Sequence, residues 1–345
     1  MNKIFSVGLL IALFIVNTVL SQDIHFSQLP MAPLNLNPAL AGANYSNQAS
    51  LVYRDQWKSS DAQFTTIYAG YDQRFLENNK NGFLVGGINF FSDKAGDSQM
   101  KTNYVGVTMG YHVRLDQKQL LGLCVQPSFG QRSIDYAALR WGMQYNGNGF
   151  DSNLPTGESG TLANQFSYFD IGAGMVYTYK SSEHYMTSND HLLINAGYSV
   201  NHINRPRYTF FNSENENLFM RHTLFVNAQI GLKNSKISLM PGFYSMLQGS
   251  HTEFLLGTYF RYSLQDKSHY TGIKKGSAIS LGGFYRLGDA IAVKAMLDWA
   301  QFSFGFSYDI NLSNYTTATQ GRGGFELAIR FVSPNPFSHN SRSSF

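Results

Sequence analysis

The chain has 345 residues, of which 43% are hydrophobic, 15% aromatic and only 14% charged, with a formal net charge of +4. Soluble domains carry about a quarter charged residues, so solvating charge is scarce here, and the 27 Phe and 21 Tyr exclude the composition of a disordered chain. So small and evenly spread a charge excludes a nucleic-acid footprint, and a single cysteine, Cys124, excludes an intramolecular disulfide or a cysteine-based zinc site.

Residues 1–21 read as a cleaved signal peptide. Lys3 precedes an apolar stretch, Ile4 to Val16, and Val19 and Ser21 suit the −3 and −1 positions, so cleavage is expected before Gln22. The stretch is too short and too interrupted, by Asn17 and Thr18, for a spanning anchor. Gln22, once exposed, is expected to cyclise to pyroglutamate. Residues 22–47 do not alternate, and Pro30, Pro33 and Pro38 forbid a regular helix or a central strand there. Phe26, Leu29, Met31, Leu34, Leu36 and Leu40 make the segment too apolar for a free tail. It is expected to pack at or in the periplasmic end of a barrel.

From residue 48 onward the dominant signal is alternation with a period of two, which sends successive side chains to opposite faces of a strand. Phe302, Phe304, Phe306, Tyr308, Ile310 and Leu312, for example, alternate with Ser303, Gly305, Ser307, Asp309 and Asn311. Strands are predicted over 48–56, 63–74, 82–92, 100–114, 119–130, 165–179, 191–201, 218–232, 235–246, 251–264, 276–287, 290–299, 302–312 and 322–332. Several reach the length of a tilted transmembrane strand. Strands in lipid must pair every backbone group, which only closure achieves. The pattern therefore predicts an all-β, antiparallel outer-membrane barrel of about fourteen strands over 48–332, with a polar tail, 333–345. Trp57, Phe75, Phe129, Tyr179, Trp299 and Phe331 at strand ends suit interfacial girdles. The longest connections, 131–164 and 202–217, both follow odd-numbered strands and so fall at one end, expected to be extracellular.

Nine charged residues alternate onto the polar faces: Arg221, Glu253, Arg261, Arg286, Lys294, Asp298, Asp309, Glu326 and Arg330. An Arg or Lys facing lipid at mid-depth costs about 2–4 kcal/mol, so these are assigned to the lumen. There they either line a wet channel or pair around a plug, with mixed signs favouring the plugged form.

Gln22-Asp23-x-His25-Phe26-Ser27-Gln28, then Pro33-Leu-x-Leu-Asn37-Pro38-Ala-Leu-Ala-Gly42, then Tyr53-Arg54-x-Gln56-Trp57, resembles the start of the PorP/SprF family. Gly283-Phe-Tyr-Arg286, Gly288-Asp-Ala290, Gly305-Phe-Ser-Tyr-Asp309 and Gly323-Gly-Phe-Glu326 extend the resemblance to the C-terminal third. Ile24 stands where the family pattern has Pro, and the likeness is weakest across 131–220. The resemblance implies an outer-membrane protein of the type IX secretion and gliding systems of Bacteroidota. It further implies partnership with secreted cargo such as the C-terminal domain of a gliding adhesin, and a link through periplasmic peptidoglycan-binding proteins to secretion-ring lipoproteins.

No nucleophile-elbow Gly-x-Ser-x-Gly occurs, so no enzyme is expected. No cofactor is expected either. His184, His191 and His202 are spaced irregularly and read as surface or interfacial histidines rather than metal ligands. His25 reads as a packed, hydrogen-bonded motif residue rather than a pH sensor. Partner contact is expected of the N-terminal motif and of Trp141, Tyr145 and Phe150 in the long loop 131–164. The function expected is a non-enzymatic anchor or assembly partner for type IX cargo, the alternative being a porin or solute transporter.

Overall fold

A computed structural model describes residues 23–57, 63–77, 79–96, 99–135, 139–157, 164–181, 191–211, 216–265, 276–313 and 321–333. The expected signal peptide, Gln22, His184 and the tail beyond Ser333 lie outside the described residues. Among the described residues fourteen strands form one closed antiparallel barrel in which each pairs with its sequence neighbours and β1 closes on β14. They are β1 Asn47–Gln56, β2 Phe64–Phe75, β3 Gly82–Ala95, β4 Met100–Arg114, β5 Gln119–Ser133, β6 Gln165–Ser181 and β7 Leu192–Asn201, followed by β8 Arg221–Gly231, β9 Ile237–Gln248, β10 His251–Gln265, β11 Ser277–Arg286, β12 Ala290–Trp299, β13 Phe302–Asn311 and β14 Arg322–Ser333.

Alternation sets the wall. Along β13 the side chains at 302, 304, 306, 308 and 310 face outward and are exposed, while those at 303, 305, 307, 309 and 311 are buried. Outward rows such as Leu281, Val293, Phe306 and Leu327 lie open on the outer surface, where lipid rather than water is their solvent. The closing seam runs from Asn47 opposite Ser333 to Gln56 opposite Gly324, so no edge is left over that stretch.

Several strands differ from the sequence reading: β3 and β5 each run three residues further, to Ala95 and Ser133, and β8 and β9 start later. The stretch 218–220 alternates like a strand, yet β8 begins at Arg221. The Leu218 amide bonds instead to the Pro206 carbonyl, and the Phe219 carbonyl accepts from the side chain of Gln248 at the end of β9, so one bond within the connection and one side-chain bond replace the ladder. β9 is displaced two residues toward the C-terminus relative to the alternation, because Leu232 and Ser235 close a turn around Asn234, which has φ +57°. The connections 134–164 and 202–220 share one end of the barrel, hereafter the long-loop end.

Residues 23–46 run through the lumen. They form a 3₁₀ turn at Leu29–Met31, one helical turn at Pro33–Leu36 and a second 3₁₀ turn at Pro38–Leu40. Three prolines open these turns, where the missing amide costs nothing. The segment is not confined to the short-turn end. Asp23 meets Gln248 and His202 at the long-loop end, and Ser46 reaches Glu77, beyond β2, at the opposite end. Its apolar residues form one core with inward side chains of the wall, including Val52, Tyr68, Phe83, Leu120, Cys124, Phe225 and Phe284.

Candidate functional site: a pinned lumen segment

The segment is held at three levels. Nearest the long-loop end, the Asp23 carboxylate lies 2.6 Å from Nε2 of His202 and 3.2 Å from Nη1 of Arg221, and its amide donates to Gln248 Oε1 at 3.1 Å. His202 Nδ1 is 2.9 Å from Asp170 Oδ2. Burial works to raise the Asp23 carboxyl, but His202 and Arg221 outweigh it and hold the group well below the usual carboxylate range. Burial works to lower His202, but Asp23 and Asp170 push it up to about 9. His202 is therefore protonated at neutral pH and is a buried ion-pair partner, not the interfacial histidine that spacing suggested. It adopts φ +59°, uncommon for a non-glycine residue.

Ser27 is the hub of the second level. The Glu326 carboxylate accepts two consecutive amides, Ser27 at 2.5 Å and Gln28 at 2.8 Å. The Ser27 hydroxyl donates to the Asp309 carboxylate at 2.7 Å and accepts from Arg54 Nη1 and Arg286 Nη2, each at 2.8 Å. Lys294 Nζ donates to the Ser27 carbonyl and sits 3.6 Å from the Phe284 ring centre. Arg54 pairs with Glu326 and, at 3.1 Å, with Asp309; Arg286 pairs with Glu253 and Asp309, each at 3.2 Å. Three basic side chains thus face three acidic ones, all less than a tenth exposed. Removing one member of such a set strands a buried charge, which costs more than the intact set contributes. His25 lies 3.8 Å from Glu253; burial pushes it down to about 4, so it is neutral at pH 7. Phe26 meets Tyr68 edge-on at 5.7 Å.

Small residues in the wall make room for the segment. A Cβ on Gly305 would come within 2.1 Å of Gln28 Oε1, and one on Gly174 within 2.1 Å of Asn37 Oδ1. That Asn37 oxygen caps the second 3₁₀ turn by accepting the Ala39 amide at 2.8 Å, while its Nδ2 donates to the Met175 carbonyl at 3.0 Å. Pro38 fills the space beside it. At the third level Gly42, with φ +63°, donates its amide to Asp72 at 2.8 Å. Arg74 donates to the Gly42 and Ala43 carbonyls and stacks over Phe83 at 4.5 Å.

The structure thus joins Asp23, His25, Phe26, Ser27, Gln28, Asn37, Pro38, Gly42 and Arg54 with five of the nine charges assigned to the polar faces: Arg221, Glu253, Arg286, Asp309 and Glu326. Lys294 completes the Ser27 hub. Of the other three, Arg261 and Asp298 stand apart from the segment, and Arg330 touches its last residues. Arg261 pairs with Asp298, and Arg330 reaches Ser303 at 3.2 Å and stacks on Tyr45 at 5.4 Å. Gln56 and Trp57 sit at the long-loop rim, where the Trp57 amide bonds to Gly323 and its ring meets Phe64 at 5.3 Å. Trp141, Tyr145 and Phe150 belong to a small looped hairpin, with a bridge between Tyr145 and Phe150 and Arg140 over the Phe150 ring at 5.2 Å.

Sequence reasoning missed Asp72, Arg74, Asp170 and His202. Asp72 and Arg74 follow Thr66 and Tyr68 on the inward face of β2, so alternation carried the signal. His202 lies just past β7, where no period applies. His191 is at the other end of β7, bonded to Gln229 at 2.9 Å, so it and His202 do not share an ion. No cluster of potential metal ligands occurs among the described residues.

Among solved structures the chain is similar to the toluene transporter TbuX of Ralstonia pickettii, with 11% identity, TM-score 0.49, and 86% of this chain and 92% of that chain covered. It is also similar to a FadL homologue of Pseudomonas aeruginosa, at 10% identity, TM-score 0.45 and the same coverage. The monoaromatic hydrocarbon channel CymD matches at 8% identity and TM-score 0.45, over 92% of this chain and 95% of that one. No curated relative matches. The family model for the type IX secretion system membrane protein PorP/SprF matches residues 18–331. The motif residues at both ends of that span are the ones that meet around Ser27, and the chain belongs to the PorP/SprF family of type IX secretion system membrane proteins.

Proposed function

We propose that this barrel is a closed, non-enzymatic surface anchor and assembly partner for type IX cargo, engaging the C-terminal domain of a secreted protein such as a gliding adhesin. The observation that carries this reading is the pinned segment. A lumen threaded by 23–46 and gripped at three levels suits a rigid docking platform better than a solute path. The long-loop end supplies the contact surface. Met143, Tyr145, Phe150 and Phe211 are 45–68% exposed there, and exposed apolar groups on loops suit recognition. The short-turn end would face periplasmic peptidoglycan-binding proteins and the lipoproteins of the secretion ring. Cleavage before Gln22 would deliver the chain to the outer membrane.

Deleting 142–160 tests the anchor. Barrel assembly should persist while cargo appears in the medium; cargo retained on the cells would reject the loop as its contact. Affinity purification of the detergent-extracted barrel should recover cargo and peptidoglycan-binding partners. The competing porin reading predicts a steady open pore of the intact protein in planar bilayers, whereas the anchor reading predicts none until 23–45 is removed.

A further inference from the structure

The outward wall at the long-loop end of β7–β9 carries a feature that neither the lumen segment nor the cargo loop uses. Arg205, Phe219, Met220, His222, Leu247 and Gly249 line a groove of about 300 Å³, at the lower limit of small-ligand sites, roughly 300–1,000 Å³. Arg205 is exposed and held at φ +44°, a left-handed conformation that a long side chain rarely adopts. Its amide closes a turn onto the His202 carbonyl, while its guanidinium has no partner among the described residues. No carboxylate lines the groove.

His222 faces outward between Arg221 and Thr223, which are buried toward the lumen. Its Nδ1 lies 2.7 Å from the Tyr198 hydroxyl, and the two rings stack at 6.1 Å. That contact fixes the ring plane and leaves Nε2 as its other polar atom. Toward mid-wall the same face presents Leu224, Val226 and Phe243 beside Tyr198 and Leu247, each 38–48% exposed. A guanidinium and an imidazole therefore stand at the rim, above a continuous apolar strip. This is the layout of a phosphate-bearing head with acyl chains below it.

We infer that this groove binds a phosphorylated acyl glycolipid of the lipid A type from the outer leaflet, with Arg205 and His222 on a phosphate and the chains along Leu224, Leu247 and Phe243. Position selects this occupant over a glycerophospholipid, because the long-loop rim, which the proposed function sets at the cell surface, meets the outer leaflet and the groove lies on the outward wall.

The test uses the mature barrel in detergent, titrated with lipid A, with enzymatically dephosphorylated lipid A, and with phosphatidylglycerol. Lipid A should bind at least about tenfold more tightly than either comparator. Arg205→Glu should lose about ten- to a hundredfold, the range for one charge-assisted contact. His222→Leu should lose less, and Lys236→Glu, at the opposite end, nothing. Heat-modifiable electrophoretic mobility confirms folding, and Arg205→Gln replaces the glutamate variant if that one fails to assemble. Unchanged lipid A binding by the Arg205 variants overturns the site, and equal binding of phosphatidylglycerol overturns the choice of glycolipid.

Discussion

Replacing Gly174 with alanine places a methyl group 2.1 Å from Asn37 Oδ1 and 3.2 Å from Pro38 Cδ. The glycine is in the wall and the asparagine in the lumen segment, so the segment must yield. Two hydrogen bonds are then forfeited, Ala39 amide to Asn37 Oδ1 and Asn37 Nδ2 to the Met175 carbonyl. A buried neutral partner left unpaired costs about 1–3 kcal/mol, so the second 3₁₀ turn loses about 2–6 kcal/mol of docking. The molecule holds its own reporter. Cys124, the only cysteine, is buried in the lumen on β5, directly opposite Gly174 in the β5–β6 register. At about 1.4 kcal/mol per factor of ten, a mid-range loss near 4 kcal/mol should speed Cys124 labelling by a small water-soluble thiol reagent several-hundredfold. Gly283→Ala, where a Cβ meets nothing within 4 Å, should label like the parent protein. Parent-like labelling of Gly174→Ala, in protein shown to be folded by heat-modifiable mobility, would refute the role given to Asn37.

Arg54→Met removes the cation shared by Glu326 and Asp309 and should cost about 3–5 kcal/mol in urea unfolding from lipid vesicles; a change below about 1 kcal/mol would mean the network is not coupled. Gly305→Ala should expose the amides of residues 26–29 to hydrogen exchange by displacing Gln28, and unaltered protection would reject that contact. The His202 tether should respond to alkali. Because its pKa is raised to about 9, its contribution is complete below about 6.5 and is lost as pH rises through 9. Exchange protection of residues 23–28, corrected for intrinsic rate, should fall between pH 7 and 10 in the parent and not in His202→Gln; a flat parent profile contradicts the tether. His25, depressed to about 4, has the opposite sense: its cost grows as pH falls from 6.5 toward 4, so His25→Asn should be less acid-sensitive than the parent.

Period-two alternation located fourteen strands and showed which face of each is apolar, because side-chain direction along a strand is a local property of the backbone, and the need to pair every backbone group in lipid then implied closure. That is why Arg286, Asp309 and Glu326 were assignable to the lumen from their neighbours in sequence. The prolines also limited residues 23–46 to single helical turns by local chemistry. What those residues do there was decided by tertiary structure. Ser27 meets Glu326 across 299 positions of sequence, and Asn37 meets Met175 across 138, separations over which no periodic signal survives. His202 shows the limit most clearly. Its spacing suggested a surface or interfacial histidine, but barrel closure places Asp23 and Asp170 on either side of it, and only that three-dimensional neighbourhood converts it into a buried cation.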